Sequence, residues 1–113
     1  MLKLKDLLAQ DQIPSEGFEE FASKRYDGAK KISDNAKKKG GPAMLTYHHF
    51  VVKLPYYEKA KNGEFNLIEA KIELKQLLGE LCVLSGEVKM EQTYFQKLVG
   101  KIEVLGELII KSK

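Results

Sequence analysis

The clearest pattern in the chain is a pair of apolar heptad stripes in its C-terminal half. The first stripe steps by three and four through Leu67, Ala70, Leu74, Leu77, Leu81 and Leu84. The second steps in the same way through Phe95, Leu98, Ile102, Leu105 and Ile109. This spacing places the apolar side chains on one face of a helix. Because the link between the stripes is short, the two helices are predicted to form an antiparallel hairpin with these faces in contact.

Capping signals predict where the first hairpin helix begins and ends. Asn66, with Glu69 three residues later, resembles a capping box. Ser85 and Gly86 are expected to end the helix.

Some apolar residues of the hairpin lie outside both stripes and need a separate cover. They are Leu78, Val99, Val104 and Leu108. The cover is expected from the helices that precede the hairpin or from a second chain, and two hairpins could pair about a two-fold axis into a four-helix bundle.

An alanine-rich stripe predicts a long helix nearer the N-terminus. Its apolar positions, three or four residues apart, are Phe18, Ala22, Tyr26, Ala29, Ile32 and Ala36. Ser15 is a suitable N-cap. The helix is predicted to end at Gly40, after three lysines that favour the C-terminal end of the helix dipole.

Residues 42–61 are predicted to form two short helices separated at Pro55. Met44, Tyr47, Val51 and Leu54 share one helix face, although the β-favouring composition of residues 46–52 leaves a strand as the alternative. We favour helix for residues 44–54, because the apolar positions do not alternate. The second helix covers residues 56–61.

The complete pattern predicts one all-α domain over residues 1–113. It is a small helical bundle of about four main helices that ends in the long hairpin. Pro14 disfavours helical geometry in the residue before it, so residues 1–14 are expected to form a separate arm, either mobile or docked late.

Composition agrees with a globular chain, since 43% of the residues are hydrophobic and 31% are charged. The N-terminus lacks the apolar core of a signal peptide, and the longest uncharged run, residues 42–52, is too short to span a bilayer. The single cysteine, Cys82, suits a reducing compartment and is expected to be buried. We therefore expect a cytoplasmic protein without a membrane partner.

The positive charge is concentrated in the middle of the chain. Residues 21–63 carry ten Lys or Arg residues against three acidic ones, whereas the overall charge is only +3. The candidate phosphate or anion contacts are Lys24, Arg25, Lys30, Lys31, Lys37, Lys38 and Lys39. With nearby aromatic rings they could bind a nucleic acid. The alternative is a solvated helix face.

An aromatic corner is the second candidate site and could contact a protein partner. It comprises Tyr47, His48, Tyr56 and Tyr57. The alternative is that these residues wedge helices together. His48 and His49 point about 100° apart on a helix and cannot share one metal ion. We predict no metal site, no cofactor and no catalytic residue.

The segment from Gly40 to Tyr57 resembles small uncharacterised proteins encoded by marine tailed phages of the myovirus type. The residues that carry the resemblance are Gly40, Gly41, Pro42, His48, His49, Phe50, Leu54, Pro55, Tyr56 and Tyr57. The resemblance implies a bacteriophage or marine metagenome source, and hence the host cytoplasm. It implies no activity and no site residue.

These observations lead to two functional hypotheses. The first is a non-enzymatic helical interaction or accessory protein that contacts itself or another protein through its helix faces. The second is a small nucleic-acid-binding accessory protein that uses the basic segment 24–39 and the nearby aromatic residues.

Overall fold

The computed structural model describes residues 16–87 and 91–112, and these residues form an all-α structure without strands. The helices are α1 (Phe18–Lys39), a 3-10 helix (Gly41–Ala43), α2 (Met44–Val51), α3 (Leu54–Lys61), α4 (Leu67–Glu87) and α5 (Gln92–Lys111). The predicted fold class is therefore confirmed, and helix is correct for residues 44–51. The break between the two short helices lies at residues 52–53, so its predicted position at Pro55 is wrong, and Pro55 lies in the first turn of α3. The predicted N-terminal arm, residues 1–14, lies outside the described residues.

Helix α1 lies between glycines whose backbone angles suit few other residues. Gly17 precedes the helix with a φ of 82°, and Gly40 follows it with a φ of 64°. Positive φ is easily accessible only to glycine, so α1 begins and ends where these two residues turn the chain.

The buried face of α1 differs from the predicted stripe at one position. Phe18, Ala22 and two further alanines are buried as predicted. However, Ile32 is 42% exposed, and the neighbouring Ser33 is buried in its place. The Ser33 hydroxyl donates a hydrogen bond to the carbonyl of Lys30 at 2.9 Å, so burying it leaves no unpaired polar group.

The hairpin is antiparallel, because the first turns of α4 pack against the last turns of α5. Leu67 and Ala70 form a buried cluster with Leu105 and Ile109. The side-chain oxygen of Asn66 accepts a hydrogen bond from the Glu69 amide at 3.0 Å, as the capping signal predicted.

The C-terminal end of α4 and the N-terminal end of α5 are determined by other residues than those that the sequence predicted. Helix α4 continues to Glu87, so the predicted end at Ser85 and Gly86 is wrong. Helix α5 begins after Glu91, whose carboxylate accepts hydrogen bonds from the amides of Thr93 and Tyr94.

A second buried cluster joins α5 to the N-terminal helices. Val104 and Leu108, which the heptad stripes left without a partner, are completely buried there. Their partners in α1 and α3 are Phe18, Ala22, Ala29, Tyr57 and Ala60. The prediction that the preceding helices cover part of α5 is therefore confirmed, but Leu78 on α4 remains 43% exposed.

Helix α2 crosses over α5 in close contact at Gly100. A Cβ atom at position 100 would overlap the carbonyl oxygen of His49 and lie 2.8 Å from Val52 Cγ2. Glycine is therefore required at this position by the neighbouring backbone, and not by its own φ.

Replacing Gly100 with alanine should lower the free energy of unfolding by about 1–3 kcal/mol, because the α2 backbone must move away from α5. Gly28→Ala on α1 is the matched control, since no atom lies within 4 Å of its added Cβ. The control should gain about 0.5–1 kcal/mol from helix propensity. Urea unfolding followed by circular dichroism measures the free energy of unfolding of both variants. A Gly100→Ala variant more stable than the wild type would contradict the close contact of α2 with α5 at this position.

Candidate functional site

A row of polar contacts, here called the polar ladder, joins α2 and α3 to α5. One side is formed by His49, Lys53 and Tyr57, which follow each other at intervals of four residues. The other side is formed by Gln96, Glu103 and Glu107 of α5. The ladder runs beside the Gly100 crossing and fixes how far α2 and α3 slide along α5.

Glu103 is the centre of the polar ladder. Its carboxylate lies 3.2 Å from the Lys53 ammonium nitrogen and 3.4 Å from His49 Nε2. The other ring nitrogen of His49, Nδ1, lies 3.1 Å from the side-chain oxygen of Gln96. Lys53 is only 8% exposed, and its ammonium also lies 4.8 Å from the centre of the Phe50 ring. A buried lysine needs such compensation, because an unpaired charge in the interior is strongly unfavourable.

Glu107 forms the last step of the ladder. It accepts a hydrogen bond of 2.6 Å from the Tyr57 hydroxyl, and Arg25 of α1 lies 3.7 Å from it. One carboxylate of α5 therefore contacts both α3 and α1.

The neighbouring tyrosine, Tyr56, points to α4. Its hydroxyl donates a hydrogen bond of 3.0 Å to Glu73. Burial raises the pKa of Tyr56 and of Tyr57 well above the usual value, and the adjacent carboxylates raise it further. Both phenols therefore remain neutral donors that join helices.

The structure divides the predicted aromatic corner into two pairs. Tyr56 and Tyr57 join helices, and Tyr57 is only 4% exposed. Tyr47 and His48 are half-buried on α2, with their ring centres 5.2 Å apart. The four residues do not form one exposed surface.

The basic residues of α1 are spread over several sides of the helix. Lys24, Lys31 and Lys38 recur every seven residues on the exposed side, and the same side carries Glu20, Asp27 and Asp34. Lys24 and Glu20 form an exposed ion pair at 3.4 Å. Opposite charges that alternate in this way are typical of a solvated helix face.

The other four basic residues lie away from that ridge. Arg25 contacts Glu107, and the Lys37 ammonium lies 5.8 Å from the centre of the Tyr47 ring. Lys30 and Lys39 are exposed. Helical spacing places Lys30 and Lys37 on one flank of α1 and Arg25 and Lys39 on the other.

A groove opens where α3 lies against the hairpin. It has a volume of about 370 Å³, and Tyr56, Glu73 and Lys101 line it together with Val52, Pro55 and Lys59. Glu73 of α4 and Lys101 of α5 therefore mark the side of the hairpin that α3 covers.

The opposite side of the hairpin is open in the part of the chain that the structure describes, and on α5 it is largely apolar. Leu78 lies five residues from Glu73 along α4, and Val99 lies two residues from Lys101 along α5. At 100° per residue, each is turned by about 140–160° away from the groove. The residues that define this open hairpin face are Leu78, Phe95, Val99, Ile102, Gly106 and Ile110. Three of them are strongly exposed: Phe95 at 40%, Leu78 at 43% and Ile110 at 76%.

Cys82 lies on the same side, four residues after Leu78. It is exposed, so the prediction that it is buried is wrong. Cys82 lies outside the heptad stripe of α4, and that stripe is the part of the helix that faces α5.

The sequence reasoning did not identify the polar ladder. Its signal is the four-residue interval through His49, Lys53 and Tyr57, which places three hydrogen-bonding groups on one face. Nothing in the sequence shows which acidic residues this face meets, because Glu103 and Glu107 are about 50 residues away.

In residues 16–87 and 91–112, no three His, Cys, Asp or Glu side chains lie close enough together to hold a metal ion. None of the helices described for these ranges has both the length and the apolar character needed to cross a bilayer.

Comparison of the chain with known protein families, with curated proteins and with solved structures finds no match.

The raised pKa values of Tyr56 and Tyr57 predict a loss of stability at alkaline pH. In the folded protein both phenols stay protonated, whereas in the unfolded chain they ionise near pH 10. The two tyrosines therefore make their full contribution to the free energy of unfolding below about pH 10. This contribution is lost as the pH rises through the folded-state pKa values. Urea unfolding at about pH 9 and about pH 11 should show this loss, and Tyr57→Phe should reduce it. If the free energy of unfolding depends on pH equally in the wild type and in Tyr57→Phe, the ionisation of Tyr57 does not cause the loss, and the prediction is wrong.

Proposed function

We propose that this chain is a non-enzymatic helical interaction or accessory protein that binds a protein partner through the open hairpin face. One observation carries the proposal. Leu78, Phe95 and Ile110 are exposed together on one side of a hairpin whose other side is covered by α3. Contiguous exposed apolar side chains are typical of protein interaction sites.

The polar side chains of α2 and α3 contact other helices, and this supports the same proposal. His49, Lys53 and Tyr57 each contact a polar residue of α5, and Tyr56 contacts Glu73 of α4. These groups join helices, so the part of the molecule that remains available to a partner is the apolar surface of the hairpin.

The proposed setting follows from the resemblance of residues 40–57 to marine phage proteins. A phage-encoded accessory protein would work in the cytoplasm of the infected host. The resemblance identifies no partner. The exposed side chains of the hairpin indicate only that the partner has an apolar surface.

Nucleic-acid binding through residues 24–39 stays the second hypothesis. The acidic residues between Lys24, Lys31 and Lys38 argue against it, because phosphate binding needs positive charges without interleaved negative ones. The aromatic residues that would stack on bases are also divided, since Tyr57 is buried.

The interaction proposal predicts that Leu78→Glu removes the bound partner. A tagged chain expressed in its host is cross-linked and recovered, and the proteins retained, its own untagged copy included, are quantified. Ile72→Glu is the matched control, because Ile72 is 53% exposed and lies about 160° from the seam residue Leu74 on α4. A retained protein that is lost with Leu78→Glu and kept with Ile72→Glu is the expected result. Equal retention by all three chains would contradict the proposal.

The proposal also predicts weak binding to nucleic acids. Labelled single- and double-stranded DNA are titrated at two salt concentrations, with Lys30→Glu, Lys31→Glu and Lys38→Glu combined in one variant. Binding should be weak in the wild type and change little in the variant. A tight complex with a steep salt dependence that the variant loses would instead favour the nucleic-acid hypothesis.

A further inference from the structure

Helix α5 has apolar residues on three sides, and the described residues, 16–87 and 91–112, cover two of them. The first side, with Leu105 and Ile109, packs on α4, and the second, with Val104 and Leu108, packs on α1 and α3. The third side contains Phe95, Val99, Ile102, Gly106 and Ile110, at intervals of three or four residues and without a charge. An apolar stripe on a helix normally packs against a neighbouring element, so the third side of α5 has the pattern of a stripe that lacks its neighbour.

Gly106 leaves room on this side for another backbone to approach closely, as Gly28 and Gly79 do on theirs, since none of the three meets an atom within 4 Å of an added Cβ. Glycine within a helix is less stable than alanine by about 0.5–1 kcal/mol. At Gly100 the reason for glycine is the backbone of α2, but no atom of the described structure lies within 4 Å of a Cβ placed at Gly106. Since Gly106 stands between Ile102 and Ile110, it forms a notch between two larger side chains.

We propose that the missing neighbour is the same hairpin of a second copy of this chain, related by a two-fold axis. This inference rests on the proposed function and names the partner of that surface. The two copies of α4 and α5 would form a four-helix bundle in which the Gly106 notch of one copy receives an apolar side chain of the other.

The size of the face agrees with a hairpin as the occupant. Helix α5 has 20 residues and is about 30 Å long, and two adjacent helices present a width of about 20 Å. Pairing would bury about 600 Å² on each copy and about 1,200 Å² in total, which is the lower end of the range for stable interfaces. A single helix would cover only part of this width.

The charge on the face also permits pairing with itself. In a two-fold interface the same patch meets its own copy, so a charge at its centre would lie near an identical charge. The centre of the α5 part carries no charged residue, and the half-exposed Glu103, which contacts Lys53, lies at its edge, turned by about 40° from Val99. On α4 this side carries two exposed lysines, Lys71 and Lys75, which lie seven and three residues before Leu78.

The mass in solution tests the proposal. Light scattering and sedimentation of the full chain at high micromolar concentration should give about twice the 12.8 kDa of one chain, with a concentration-dependent fall to one chain on dilution. A mass of one chain at all concentrations overturns the proposal.

Two pairs of variants locate the interface. Ile110→Glu places a charge in the proposed contact and should raise the dimer dissociation constant about tenfold or more. Ile32→Glu on α1, where the isoleucine is 42% exposed, should leave it within about twofold. Gly106→Ala should also weaken the dimer, whereas Gly28→Ala should not. Circular dichroism confirms that each variant is folded.

The remaining outcomes identify other occupants. A dimer that survives Ile110→Glu but not Ile32→Glu uses α1 and overturns the proposal. A chain that dimerises only after deletion of residues 1–14 shows that this segment and not a second copy occupies the face, which also overturns it. A monomer that still retains a Leu78-dependent partner disproves self-pairing and leaves the proposed function intact.

Discussion

At Gly100 the backbone of α2 passes so close to α5 that no side chain fits between them. This approach brings His49 and Lys53 within reach of Glu103, and it turns α3 so that Tyr57 reaches Glu107. The same geometry places Ala60 of α3 against the buried side of α5. A larger residue at position 100 would separate the helices and lengthen every one of these contacts together.

The polar ladder then supplies what apolar packing alone does not, namely a fixed position along the helix axis. The α1 side of the core is mostly alanine, which buries little area per turn and tolerates sliding. Directed contacts are more specific, because a hydrogen bond weakens steeply when its donor and acceptor move apart. Tyr56 performs a similar role on the other helix of the hairpin through Glu73. Glu107, which contacts both Tyr57 and Arg25, connects the ladder to α1.

In this arrangement the described residues cover two apolar sides of α5, and the third side is the surface that we propose for interaction. The Cα atoms extend over 58 × 35 × 15 Å, so the molecule is only about two helices thick. A flat bundle exposes more apolar surface than a round one of the same mass. The open hairpin face holds three of the exposed large hydrophobic side chains of the described residues: Leu78, Phe95 and Ile110.

The sequence by itself determined the elements. Heptad spacing identified the antiparallel hairpin, the alanine stripe identified α1, and glycine and asparagine marked most helix limits, because these signals act over one or two turns. It also determined that Val104, Leu108 and Leu78 needed a further cover. Only the tertiary structure decided that α1 and α3 bury the first two and leave Leu78 exposed. The burial of Ser33 in place of Ile32, and the pairing of Lys53 with Glu103, were likewise decided by tertiary contacts. These outcomes depend on which helices meet across about 50 residues of chain, and local spacing carries no information about that distance.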